Sequence, residues 1–154
     1  MSESWTHILK GKLVIVGIGN PLRGDDGFGP RLVEEVRGKI EAVCIDAGSA
    51  PESYTGKIAR ETPDTILLVD AVHLNKKPGE FSLLKKEEIL KSGFSTHDMS
   101  PNLFIEYLEQ QTRAAIYLLG VQPTDISFGA EMSEPVKDAI TELAGNLKEA
   151  SLHA

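Results

Sequence analysis

The chain holds a single cysteine, Cys44, among its 154 residues. One thiol excludes an internal disulfide and a zinc site built from cysteines alone. No apolar run exceeds a few residues, which excludes a helix crossing a bilayer. Positive charge is in deficit: 16 Lys and Arg stand against 23 Asp and Glu, for a net charge of −7. A compact acidic chain lacks the clustered bases that phosphate binding needs, so neither nucleic acid nor an anionic membrane is an expected partner. Met1 to Lys12 places Glu3, His7 and Lys10 among apolar positions and has no apolar centre of a cleavable signal. The expectation is a cytoplasmic protein. There is no internal repeat, low-complexity tract or linker, so residues 1–154 read as one domain. A chain of this length buries roughly two thirds of its unfolded surface and needs no cross-link or metal to fold.

Five apolar segments read as strands. Leu13–Ile18 is β-branched and apolar throughout, the pattern of a strand buried on both faces in a parallel sheet. Ala42–Ile45 and Thr65–Val69 are shorter and run directly into Asp46 and Asp70. Glu80–Leu84 alternates, as an edge strand does. Ala115–Val121 is the last. Between them lie helical patterns. Residues 4–9 suggest a short helix packed on the body. Pro30–Val36 opens with a proline suited to a first turn. Ser100 and Pro101 open a helix through Gln111, with Leu103, Phe104, Tyr107 and Leu108 as its apolar stripe. Ser133–Leu147 is apolar at Val136, Ile140, Leu143 and Leu147. Alternating strands and helices predict an α/β domain, a three-layer helix–sheet–helix sandwich around a twisted, mostly parallel, mixed sheet. Strand order does not follow from the pattern.

The acidic residues sit where such a sheet binds ligands. Asp46 and Asp70 follow strands, and Asp25 and Asp26 lie in the loop after the first strand. Ligands of open α/β sheets bind beyond the carboxyl ends of the strands. These carboxylates are expected to crowd onto one edge, where a divalent cation would relieve their repulsion. A histidine in a nearby loop would complete a site; Thr96-His97-Asp98 precedes a helix start, and His73 lies three residues past Asp70. The loop Gly17–Gly27 is rich in glycine but is no phosphate cradle. Leu22 stands where a dinucleotide fingerprint needs glycine, and Asp25-Asp26 follow Gly24 where a P-loop needs Lys-Ser/Thr. No Gly-x-Ser-x-Gly elbow and no His-Glu-x-x-His pair occurs.

Several stretches together resemble one family. Gly19-Asn20-Pro21-Leu22-Arg23-Gly24-Asp25-Asp26-Gly27-Phe28-Gly29 is similar to the opening motif of the nickel–iron hydrogenase maturation endopeptidases. Asp46–Glu52, Leu68-Val69-Asp70-Ala71 and Thr96-His97-Asp98-Met99 resemble their second, third and histidine-bearing motifs. Leu119–Pro123, with the closing Pro135–Ala139, completes the likeness, which covers about 13–147 and is strongest to the hydrogenase-3 type. The resemblance implies a helix–sheet–helix sandwich. It implies an endopeptidase that removes the C-terminal extension from the precursor of the hydrogenase large subunit after nickel insertion. It further implies that Asp26, Asp70 and His97 form the site and bind nickel carried by the substrate, with other divalent ions able to occupy the same ligands. The family often has Glu where Asp26 stands, so the reach here is one methylene shorter.

Carboxylate and imidazole ligands suit a borderline divalent ion, and three protein ligands leave positions open. The metal could polarise the scissile carbonyl or generate hydroxide from water. It could also serve only for docking, with a carboxylate as general base. Two other readings stand beside this one. Gly17–Pro21 resembles the start of peptidyl-tRNA hydrolases, although Asp25-Asp26 would repel tRNA phosphates. A nickel-delivery or precursor-holding protein could use the same ligands without cutting. The expected state is a monomer.

Plainer roles apply to several residues. Asp26 could cap the helix beginning near Gly29. Asp25 is expected to support the loop by hydrogen bonding, and Asp46 to have a structural role. Gly24, Gly27, Gly29 and Gly48 permit backbone turns. Cys44 reads as a small buried apolar residue, and Phe104, Tyr107 and Leu108 as core. His7 and His153, with Lys76-Lys77 and Lys85-Lys86, read as solvated.

Overall fold

Strand β1 (Leu13–Ile18) is buried at all six positions, as its unbroken apolar run requires. A computed structural model describes residues 5, 7–96 and 98–152. β2 (Val43–Gly48), β3 (Thr65–Ala71), β4 (Phe81–Lys85) and β5 (Ala115–Val121) join β1 in one sheet of order β2-β1-β3-β5-β4. β1 pairs in parallel with β2 and β3, and β3 with β5. β4 runs antiparallel to β5 at the edge, so the sheet is mixed as expected.

Side chains alternate across the sheet, and the two faces take different helices. Ile15, Leu67, Val69, Leu119 and Val121 pack against α1 (Phe28–Val36) and α5 (Glu134–Leu152). Val14, Val16, Ile66, Leu68 and Leu118 pack against α2 (Thr55–Arg60), α3 (Lys86–Leu90) and α4 (Pro101–Thr112). The result is the three-layer sandwich. In the N-terminal segment Trp5, His7 and Ile8 are helical, and Trp5 and Leu9 are buried in the α1–α5 layer.

Ser100 caps α4 as its sequence predicts, accepting a hydrogen bond from the Leu103 amide at 3.2 Å. The apolar stripe of α4 needs correction. Phe104, Ile105 and Leu108 are fully buried, whereas Leu103 is 57% and Tyr107 41% exposed. The buried stripe runs along 104, 105 and 108, so 103 and 107 fall on its solvent side. α2 and α3 are additions. Each buries few apolar residues, Ile58 in one and Ile89 in the other, too few for a periodicity to show. Cys44 is half-buried rather than fully buried, and burial still pushes its thiol above the usual range. Among the described residues no helix is long and apolar enough to cross a membrane.

Candidate functional site

The strand order locates the cleft. From β1 the chain crosses to β2 on one side, then returns past β1 to β3 on the other. The crevice that this reversal leaves beyond the carboxyl ends of β1 and β3 is where such sheets accept ligands. A cleft of about 320 Å³ opens there. Ile18 and Gly19 line it at the end of β1, Asp70 and Ala71 from β3, and Asp26 and Arg23 from the intervening loop.

The loop reaches the cleft through tight backbone approaches. Gly29, in the first turn of α1, lies against the strands: a Cβ there would sit 2.4 Å from the carbonyl oxygens of Ile18 and Val69. Gly19 has φ +137°, and a Cβ on it would meet the Asp26 carbonyl oxygen at 1.9 Å. Only glycine allows either approach. The segment Gly24–Gly27 then forms a 3-10 turn that carries the acidic pair.

Adjacent carboxylates of that turn go to different places. Asp25 is fully buried and accepts hydrogen bonds from the Thr124 amide (2.8 Å), the Ser133 amide (2.7 Å) and the Ser133 hydroxyl (2.8 Å). It ties the loop to the segment before α5, the supporting role its sequence suggests. Asp26 is half-buried in the cleft, and its Oδ2 accepts from the Asn20 amide at 2.8 Å. It does not cap α1, whose N-cap is Gly27 with no side-chain cap.

Asp70 is 6% exposed, within β3 one residue before its end. Burial raises its pKa well above the ordinary carboxylate value, the Asp26 charge raises it further, and a hydrogen bond from the Ala71 amide opposes both. Two carboxylates from separate elements thus share one cleft, one of them largely removed from water. That arrangement favours a bound proton or a bound cation.

Asp46 does not join them. β2 continues past it to Gly48, so Asp46 lies within the strand, and its side chain accepts from the Gly48 amide at 3.1 Å. Its neighbours Ile45 and Ala47 pack on the α2–α4 face, so strand alternation turns Asp46 to the α1 face. There it lines a different hollow, beside Arg31 and Glu34.

Of the two candidate histidines, His97 lies outside the described residues. Ser95 and Thr96 before it line the cleft, and the Thr96 hydroxyl donates to the Met99 carbonyl. His73 also lines the cleft; it is exposed, with Nδ1 3.5 Å from Gln122 Nε2. Among the described residues no three His, Cys, Asp or Glu side chains form a group able to hold a metal. His153 also lies outside the described residues.

The sequence reading missed two contributors. Arg23 brings a cation to a cleft with two carboxylates. Buried Gln122 accepts from the Leu74 amide at 2.6 Å, anchoring the turn that carries His73 to the end of β5. Each sits in a quoted motif, but its direction depends on the tertiary fold.

Comparison with known proteins is consistent along most of the chain. Residues 30–149 match the family HycI, described as hydrogenase maturation protease. The chain is 36% identical over 130 residues to the hydrogenase 3 maturation protease of Escherichia coli K12, covering 82% of this chain and 83% of that protein. The fold matches a crystal structure of the NiFe hydrogenase maturation protease HycI from Thermococcus kodakarensis KOD1. The TM-score is 0.87 at 33% identity, over 97% of this chain and 99% of that one. A crystal structure of the hydrogenase 3 maturation protease matches with a TM-score of 0.81 at 32% identity, over 92% and 90% of the two chains.

Proposed function

Because the chain belongs to the hydrogenase maturation protease family, we propose that it removes a C-terminal extension from a nickel-loaded precursor of a hydrogenase large subunit. The observation that carries this reading is the convergence of Asp26 and Asp70 in the cleft between β1 and β3. The buried Asp70 carboxylate beside a second carboxylate is costly to ionise without a cation, and carboxylate oxygens with an imidazole suit nickel. In this reading the metal belongs to the substrate. Asp26 and Asp70 hold it, and His97 is the third ligand. The Asn20 amide keeps Asp26 turned toward the cleft, so the pair waits preformed. Seating the substrate's metal places the scissile peptide in the cleft, which makes cleavage conditional on correct loading. The reading carries with it a cytoplasmic monomer.

Incubating the purified protein with nickel-loaded and nickel-free precursor tests the reading. The expected result is a mass loss equal to the C-terminal extension, confined to the loaded form. Transfer of metal without cleavage would replace the peptidase by a nickel carrier.

A further inference from the structure

Three large apolar side chains stand in solvent beside the cleft. Phe128 is 76% exposed, Leu22 63% and Ile126 39%. They are brought together by two loops that are bonded to each other. The Gly129 amide donates to the Leu22 carbonyl at 2.8 Å, the Asp25 amide to the Asp125 carbonyl at 2.9 Å, and Arg23 Nε to the Ile126 carbonyl at 3.0 Å. Beneath them the buried Asp25 carboxylate holds the Thr124 and Ser133 amides. The lip is therefore pinned at several points, not a loose loop tip. It is continuous with the cleft, because Arg23 and Ile126 line both.

We propose that this lip of Leu22, Arg23, Ile126 and Phe128 is the substrate-docking surface that grips an extended, apolar segment of the precursor next to the bond being cut. The inference rests on the reading of the cleft as the place where a polypeptide is cleaved. A chain leaving the cleft on the side of Ile126 must cross the lip. Its apolar side chains cover Phe128 and Leu22, and Arg23 donates to its main-chain carbonyl oxygens. Isolated exposed apolar residues are ordinary on any protein, but a rigid cluster at the rim of a cleft marks an interaction site. Because hydrogen bonds already order both loops, little conformational freedom is lost on binding. A large aromatic buried on binding contributes disproportionately to affinity.

The test is steady-state cleavage of nickel-loaded precursor, followed by mass spectrometry, with Phe128→Ser, Leu22→Ser and a Leu103→Ser control on the exposed side of α4. The expected result is a rise in KM of about tenfold for Phe128→Ser, with the loss falling on KM rather than kcat. Phe128→Leu should recover most of it, and Leu103→Ser should match the wild type. A wild type that cleaves while Phe128→Ser keeps the same KM overturns the lip and leaves the peptidase reading standing. An equal rise for Leu103→Ser also overturns it, because the effect would then not be local. Should Phe128→Ser instead dissolve a self-associated form without changing KM, the lip is a contact between copies of this chain. A wild type that fails to cut loaded precursor overturns the underlying reading first.

Discussion

Asp26 and Asp70 face one cleft from elements 44 positions apart in sequence, and the charge of the first raises the pKa of the second. A buried carboxylate beside a half-buried one is a poor resting arrangement for a stable protein. It is a good one for receiving a cation.

Asp70→Asn should abolish processing and raise thermal stability at neutral pH. With a raised folded-state pKa, the native protein keeps a proton that the unfolded chain has lost, so stability falls as pH climbs from the ordinary value of 3.8 through the raised one. The amide removes that cost. Thermal melts should show a higher Tm for the variant, by about 2–4 °C for each kcal/mol recovered, with the difference shrinking on acidification. A Tm below wild type at every pH would contradict the assignment.

Asp26→Glu should retain cleavage, whereas Asp26→Asn should lose it. The longer carboxylate keeps the charge and the acceptor for the Asn20 amide, while the amide keeps only the acceptor. Both variants should melt within about 1 kcal/mol of wild type, the size of one hydrogen bond. Cleavage assays on loaded precursor separate them.

The two histidines divide cleanly. His97→Ala should eliminate processing in a protein that still folds. His73→Ala should reduce it by no more than a few fold, since His73 makes only a long contact to Gln122. Parallel cleavage assays with circular dichroism decide it, and normal cutting by folded His97→Ala removes that residue from the mechanism.

Asp25→Ala should be a stability variant. It strands two amides and a hydroxyl that a buried carboxylate now satisfies, at a cost of about 3 kcal/mol, or roughly 6–12 °C in Tm. Hydrogen exchange should accelerate at the Thr124 and Ser133 amides ahead of the rest.

Gly29→Ala should destabilise by about 3 kcal/mol or more, because its methyl would lie 2.4 Å from two strand carbonyls that cannot retreat. Chemical denaturation measures this directly.

Much of the architecture was legible in the sequence. β1 announces itself through a β-branched apolar run, β5 through a mostly apolar one, and α4 through Ser100 and Pro101, because those signals are local. The partition of the acids was not. Asp46 and Asp70 each follow an apolar run, yet strand alternation turns Asp46 to the α1 face, while Asp70 lines the cleft. The cleft itself depends on β3 lying beside β1, a long-range pairing with no local signature. α2 and α3 hid for another reason: six and five residues are too few for a period to show. The lip was also unreadable, since Leu22 and the Phe128-Gly129 loop are joined only by a backbone bond between distant segments.

The split between Asp25 and Asp26 has a consequence for how this chain can vary. Surface loops ordinarily tolerate insertions and deletions. Here neighbouring positions of one short turn serve foundation and cleft, so adding or removing a residue between Asn20 and Gly24 would move both carboxylates off their positions at once. An insertion would carry Asp25 away from the Thr124 and Ser133 amides, and a deletion would draw Asp26 out of the cleft. Although it runs along the outside of the molecule, this stretch is as fixed in length as a core strand.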